Sequence, residues 1–360
     1  MTGRELINNA LAKKNTGANP FWLGNPADET KEIYAKALGL SGDRAAAAHD
    51  GSLYTTINGR IDIDLALGSG SDMIWVSPEL DASSYVDPDN KPMWDSTGGI
   101  ERKSLSQPGV FAEAESVAEI EAFDWPDPEK INFDKAYDDA QEAHEAGLAV
   151  FGGMWCPFFH VLSDFFGMEN YFIKMYTDPD IVLAATEHVV DFYLAANKRC
   201  LDKMSGLLSA GFFGNDFGSQ RGMMIGPECF EKFILPYLKK ITSQISGYGL
   251  PVAIHSCGAI SNIIPSLIDI GVNVLHPIQA IAAGMEPEGL QKKFGGDLVF
   301  MGGVDTQELL PFGTVQEVEQ KVERLREIFG PNYIVSPSHE ALLPNVSFEK
   351  VKAMSKMAKA

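Results

Sequence analysis

From about residue 145 onward, apolar and polar positions of this chain fall into two alternating patterns. Short apolar runs at 149–154, 207–213, 251–254, 272–275, 298–301 and 333–335 have the length and bounding residues of buried strands. Longer stretches at 179–202, 227–246, 260–270, 287–294 and 314–328 carry apolar residues at helical spacing. In the last of them Val315, Val318, Val322, Leu325 and Ile328 form one stripe. Strands alternating with helices imply βαβ units and a parallel sheet. The N-terminal third is less regular. There 72–76 reads as a strand, 81–107 is polar, and the rest is expected to be added helices around an elaborated first strand.

Polar residues gather where the apolar runs stop. Asn215 and Asp216, His255 and Cys257, His276, Asp305 and His339 each lie at or just beyond the C-terminal end of an expected strand. A (β/α)8 TIM barrel brings all such ends to one mouth, whereas an open doubly wound sheet gathers only those near its switch point. So many polar ends favour the barrel, built as a single domain over 1–360. No linker or low-complexity tract divides the chain.

The chemistry is concentrated in His255-Ser-Cys257-Gly258. Residues two apart on a strand point to the same face, so an imidazole and a thiol, both good zinc ligands, project together. The competing reading is a buried cysteine beside a hydrogen-bonded core histidine. His339 at a matching strand end tips the balance towards metal. Two histidines and one thiolate leave the fourth tetrahedral position open, the pattern of a catalytic zinc. Glu79, Glu340, Cys156 or water is the candidate for that position. Asp216 and Asp305 are each either helix caps or site residues that orient a ligand or move a proton. Trp155, Phe158 and Phe159 pack in the core or form an apolar wall for a flat substrate. Asn215, Arg221 and Gln307 are expected to join them in binding it. His276 is expected only to cap or hydrogen-bond locally, and His49, His144 and His188 to have no special role.

Composition narrows the partners. A formal net charge of −20 argues against nucleic acid and anionic membrane. Four scattered cysteines show no disulfide spacing and fit a reducing cytoplasm. No secretory leader pattern and no apolar stretch of membrane length is visible. Phosphate-binding glycine fingerprints and the Gly-x-Ser-x-Gly elbow are also absent.

Several segments together carry a resemblance: Gly167-Met-Glu-Asn170, Thr177-Asp-Pro179, Asp216-Phe-Gly-Ser-Gln-Arg221-Gly222, Pro236-Tyr237, His255-Ser-Cys257-Gly258, Gly302-Gly-Val-Asp305-Thr306 and Ser336-Pro-Ser-His339. The chain resembles the uroporphyrinogen decarboxylase superfamily, and within it the cobalamin-dependent methyltransferases, from about Phe21 to Met354. The resemblance implies a (β/α)8 barrel with its site at the C-terminal mouth, and zinc on the His-x-Cys pair plus a later cysteine. Here His339 stands in that cysteine's place. The exchange lowers the negative charge on the metal and disfavours a thiol acceptor such as coenzyme M, pointing instead to an ether oxygen. The arginine-rich N-terminal segment with which true decarboxylases grip substrate carboxylates has no counterpart.

The expected activity is therefore zinc-dependent transfer of a methyl group from a small O-methyl donor, favoured to be a methoxylated aromatic, to the Co(I) corrinoid of a separate carrier protein. His255, Cys257 and His339 would hold zinc, while Asp216 and Asp305 orient substrate or supply a proton. The alternatives are a metal-free decarboxylase of an anionic ring and a non-catalytic barrel that carries a corrinoid or tetrapyrrole.

Overall fold

The computed structural model describes residues 1–15, 17–40, 60–78, 85, 93–96, 98, 104 and 106–360. Seven parallel strands hydrogen-bond in sequence order: β1 (Met73–Val76), β2 (Ala149–Gly152), β3 (Ala210–Gly214), β4 (Val252–His255), β5 (Val274–Ile278), β6 (Val299–Val304) and β7 (Ile334–Pro337). Every strand expected from the apolar runs is present. Helices follow the strands, including Pro179–Met204 after β2 and Val315–Phe329 after β6. The expected helix at 227–246 is broken into Pro227–Phe233 and Leu235–Gly247. Pro236 explains the break, since its ring removes an N–H and clashes with the preceding turn.

The eighth strand expected of a (β/α)8 barrel is not formed among the described residues. Its place between β7 and β1 is taken by the segment around Phe21, which makes a single parallel bridge to Val335. Trp22 N–H donates to the Val335 carbonyl at 2.9 Å, and Val335 N–H to the Pro20 carbonyl at 2.8 Å. On the other side Asp72 N–H donates to the Phe21 carbonyl at 2.7 Å. Pro20 has no N–H to extend this ladder, and Gly24, at φ +90, turns the chain away after it.

Alternation along the strands sorts side chains into two layers. Met73, Trp75, Ala149, Phe151, Ala210, Phe212, Ala253, Val274, Val299, Met301 and Ile334 point into the curl of the sheet, joined by Trp22. Ile7, on the N-terminal helix Gly3–Leu11, packs into the same cluster. The intervening residues, such as Val150, Phe213, Ile254 and Val335, face the outer helices in a second and larger core. Helices Gly3–Leu11, Asp28–Ala37 and Arg60–Ser69 precede β1. The irregular stretch 81–107 lies largely outside the described residues. Among the described residues no helix is long and apolar enough to cross a membrane.

Candidate metal centre

The inward register that carries Ala253 and Val274 carries His255 and His276 two residues later. His255 closes β4, and His276 lies inside β5, paired with it across the sheet. Both are buried above an aromatic floor. Trp22 meets His276 edge-on at 5.1 Å between ring centroids, and Phe212 does so at 5.7 Å. Trp155 crosses His255 at 5.4 Å and leans on Trp75 at 4.6 Å. Gly214 makes room for this indole, because a Cβ there would sit 2.4 Å from the Trp155 ring.

The two ring nitrogens of His255 face different groups. Nε2 lies 3.3 Å from Cys257 Sγ and 3.3 Å from Asp216 Oδ1. Nδ1 lies 3.0 Å from His276 Nδ1 and 3.4 Å from Glu340 Oε2. Among the described residues two groups have ligand atoms within metal-binding reach of one another: Asp216, His255 and Cys257, and His255, His276 and Glu340. The first combines sulfur, nitrogen and oxygen donors, a set suited to zinc.

Loops after the strands hold the first group in place. Asp216 Oδ1 accepts the Cys257 N–H at 2.8 Å, tying the β3 loop to the β4 loop. Gly258 takes φ +85 and would collide with the Gly218 backbone if it bore a Cβ, while its N–H donates to Gln279 Oε1 at 2.9 Å. Asn215, expected to bind substrate, is buried with its amide committed to structure. Its Oδ1 accepts Phe159 N–H at 2.9 Å, and its Nδ2 donates to the Cys156 carbonyl at 3.0 Å.

Electrostatics follow from burial and this crowding. Burial disfavours charge on His255, yet Glu340, Cys257 and Asp216 together hold its pKa well above the usual imidazole value. Burial also pushes Asp216 up, but the His255 hydrogen bond and charge, with His160 and the Cys257 N–H, more than offset it and leave the carboxyl below its usual range. Cys257 is raised by burial, with His255 opposing. His276 is driven well below the usual value by burial and then by the neighbouring His255 and His339.

His339, the third ligand expected from its strand end and from the resemblance, is in neither group. Its ring centroid lies 6.2 Å from that of His255, and its Nδ1 accepts the Ala341 N–H at 3.1 Å. Asp305 caps a turn, its carboxylate accepting the N–H groups of Gln307, Glu308 and Leu309 at 3.3, 2.7 and 2.9 Å. Phe158 and Phe159 are fully buried in the outer core, which leaves Trp155 as the one half-buried member of the expected wall. Arg221 and Gln307 are exposed. Cys156 is buried, its thiol pushed well up by burial and then by Cys200. Glu79 lies outside the described residues.

Sequence reasoning undervalued His276, although its parity with Val274 on one strand was available. It did not single out His160, whose buried Nδ1 has no hydrogen-bond partner among the described residues. Burial lowers the His160 pKa while Asp216 opposes.

Comparison with known proteins gives the family and the fold. The uroporphyrinogen decarboxylase (URO-D) family matches residues 98–360. The chain belongs to that family. The chain is similar to the methylcobamide:CoM methyltransferases MtbA of Methanosarcina mazei, 23% identical over 222 residues, and of Methanosarcina acetivorans, 22% identical over 187 residues. The methylated-thiol–coenzyme M methyltransferase of Methanosarcina mazei is 23% identical over 183 residues. These matches span 62%, 52% and 51% of this chain and 62%, 52% and 46% of the relatives' own lengths. A solved methyltransferase from Methanosarcina mazei superposes with a TM-score of 0.68 at 16% identity, covering 99% of this chain and 98% of its own, which establishes the shared fold.

Proposed function

We propose that this chain is a methyltransferase that moves a methyl group between a small methylated compound and a corrinoid carried on a separate protein, using zinc held at His255 and Cys257. The observation that carries this reading is the convergence of Asp216 Oδ1 and Cys257 Sγ on His255 Nε2 at the C-terminal ends of the strands. Family membership and the printed activities of the relatives support it, as does the reducing compartment expected from four free cysteines. The 360 residues are read as one barrel domain, with the Phe21 segment as its eighth stave.

The donor set fits zinc in kind and in spacing. Separations of 3.3 Å around Nε2 are close to those of atoms sharing a tetrahedral ion. We read Asp216 as the third ligand, because its carboxylate lies with His255 and Cys257, and His339, expected from its strand end and the resemblance, is its rival. Zinc, when bound, supplies Lewis acidity to an oxygen or sulfur that carries or receives the methyl group. The chain's own residues do the rest. His255 and Cys257 would hold the ion that receives that heteroatom, and Trp155 packs edge-on against the His255 ring. Asp216 adds the one carboxylate that lies against His255 Nε2, since Asp305 is occupied as a cap.

The methoxylated-aromatic donor rests on His339 in place of a cysteine and on Trp155 as an apolar surface. A second reading, transfer to a thiol, is favoured by the relatives' printed activities and by Asp216, whose charge restores the one that His339 removes. One experiment separates them. Purified zinc-loaded protein is offered methylated corrinoid with thiols, and separately Co(I) corrinoid with methoxylated aromatics, and the corrinoid spectrum is followed. Turnover in either direction that stops with a chelator supports the proposal and selects the substrate. Decarboxylation of a ring substrate that persists without metal or corrinoid sinks it.

A further inference from the structure

Glu340 is only 4% exposed, and among the described residues its Oε2 makes no hydrogen bond of good geometry. A buried carboxylate without a partner is costly, so its neighbours must justify it. Among the described residues, its charged-pair neighbours are His255 Nδ1 at 3.4 Å and His339 Nδ1 at 3.7 Å. The second already accepts the Ala341 N–H and so has no proton to offer. That leaves His255 Nδ1. The same atom faces His276 Nδ1 at 3.0 Å, a separation at which two ring nitrogens share one proton. With a carboxylate beside it the proton belongs on His255. His276 then accepts at Nδ1 and carries its own proton on Nε2, which is the buried ring nitrogen found without a partner.

We propose that Glu340 and His276 are positioning residues that hold a proton on His255 Nδ1, so that Nε2 is the nitrogen presented to zinc beside Cys257 and Asp216. Glu340 is thereby assigned to the far side of the imidazole, not to the open zinc position. The assignment rests on the zinc reading above. Carboxylates commonly hold the outer nitrogen of a zinc-bound histidine in this way. The position of Glu340 is itself fixed: its carbonyl accepts the Asn25 N–H at 2.8 Å, and Gly24 packs so close that a Cβ there would lie 2.6 Å from that oxygen. The segment that fills the gap between β7 and β1 therefore also seats the residue behind the metal ligand.

The test is zinc affinity by chelator competition in wild type, Glu340→Leu and Glu340→Gln, with circular dichroism to check the fold, and nitrogen NMR of the His255 ring in the zinc-loaded protein. Glu340→Leu is expected to weaken zinc by about 10- to 100-fold, and Glu340→Gln, which keeps an acceptor, to recover most of that loss. NMR should find the proton on Nδ1 and the metal on Nε2. Unchanged affinity in a folded Glu340→Leu, metal on Nδ1, or two ions per chain would each overturn the assignment while leaving zinc in the site. Wild-type protein that takes up no zinc overturns the zinc reading and this inference together.

Discussion

Asp216 and Asp305 occupy equivalent places, one past β3 and the other past β6, each close to glycines and ahead of a helix. Their fates differ. Asp305 spends its carboxylate within its own turn, on amides two to four residues ahead. Asp216 reaches across 41 residues of sequence to the Cys257 N–H and lies against His255 Nε2. A carboxylate that satisfies local amides stabilises a turn. One that is satisfied from another loop becomes part of whatever that loop carries. Position past a strand end is thus shared by these two carboxylates, and the hydrogen-bond partners decide the role of each.

The largest effect should come from the loop that Asp216 joins. Cys257→Ala should abolish stoichiometric zinc, measured by elemental analysis, and reduce methyl transfer to background with the circular dichroism spectrum unchanged. Retained zinc would move the metal to the His276–Glu340 side. Next, Asp216→Asn keeps an acceptor for the Cys257 N–H but removes the charge. Zinc affinity and transfer rate should fall by roughly 10- to 100-fold with little change in melting temperature. His339→Ala serves as its counterpart, and the larger loss of zinc between these two names the third ligand.

Asp305→Ala should show the opposite profile. Thermal unfolding should report a loss of about 1 kcal/mol, as for other capping residues, with transfer nearly intact. A fall in activity as large as that of Asp216→Asn would erase the distinction between the two carboxylates. Smallest of all, Arg221→Ala at an exposed hairpin tip should change stability by no more than about 0.5 kcal/mol. A marked rise in KM would return Arg221 to the substrate site proposed from the sequence.

Much of the frame was legible beforehand because strand and helix periodicities are local. All seven strands lie within a few residues of the apolar runs, and helix Pro287–Phe294 matches its expected bounds. The stripe from Val315 to Ile328 became helix Val315–Phe329, closed at its start by a reciprocal pair between Thr314 and Glu317. His255 and Cys257 were legible as a pair from their spacing, although Cys257 lies in the loop just past β4 and not on the strand. Less accessible were the aromatics after β2. Trp155-Cys-Pro-Phe-Phe159 reads as one apolar run, yet helix Phe158–Phe166 begins within it and turns Phe158 and Phe159 into the outer core, leaving Trp155 towards His255.

The sequence by itself determined the parallel α/β architecture, the separation of inward from outward strand positions, and the gathering of polar residues at the strands' C-terminal ends. Those features follow from repeat lengths of a few residues and from which side chains water excludes. Only the tertiary structure decided that Phe21 fills the gap between β7 and β1, that Asp216 rather than His339 shares His255 Nε2 with Cys257, and that His276 and Glu340 stand behind the same ring. Each of these pairs residues distant along the chain. Which distant groups meet is set by closure of the sheet and by the need of buried polar atoms for partners, neither of which leaves a periodic mark in the sequence.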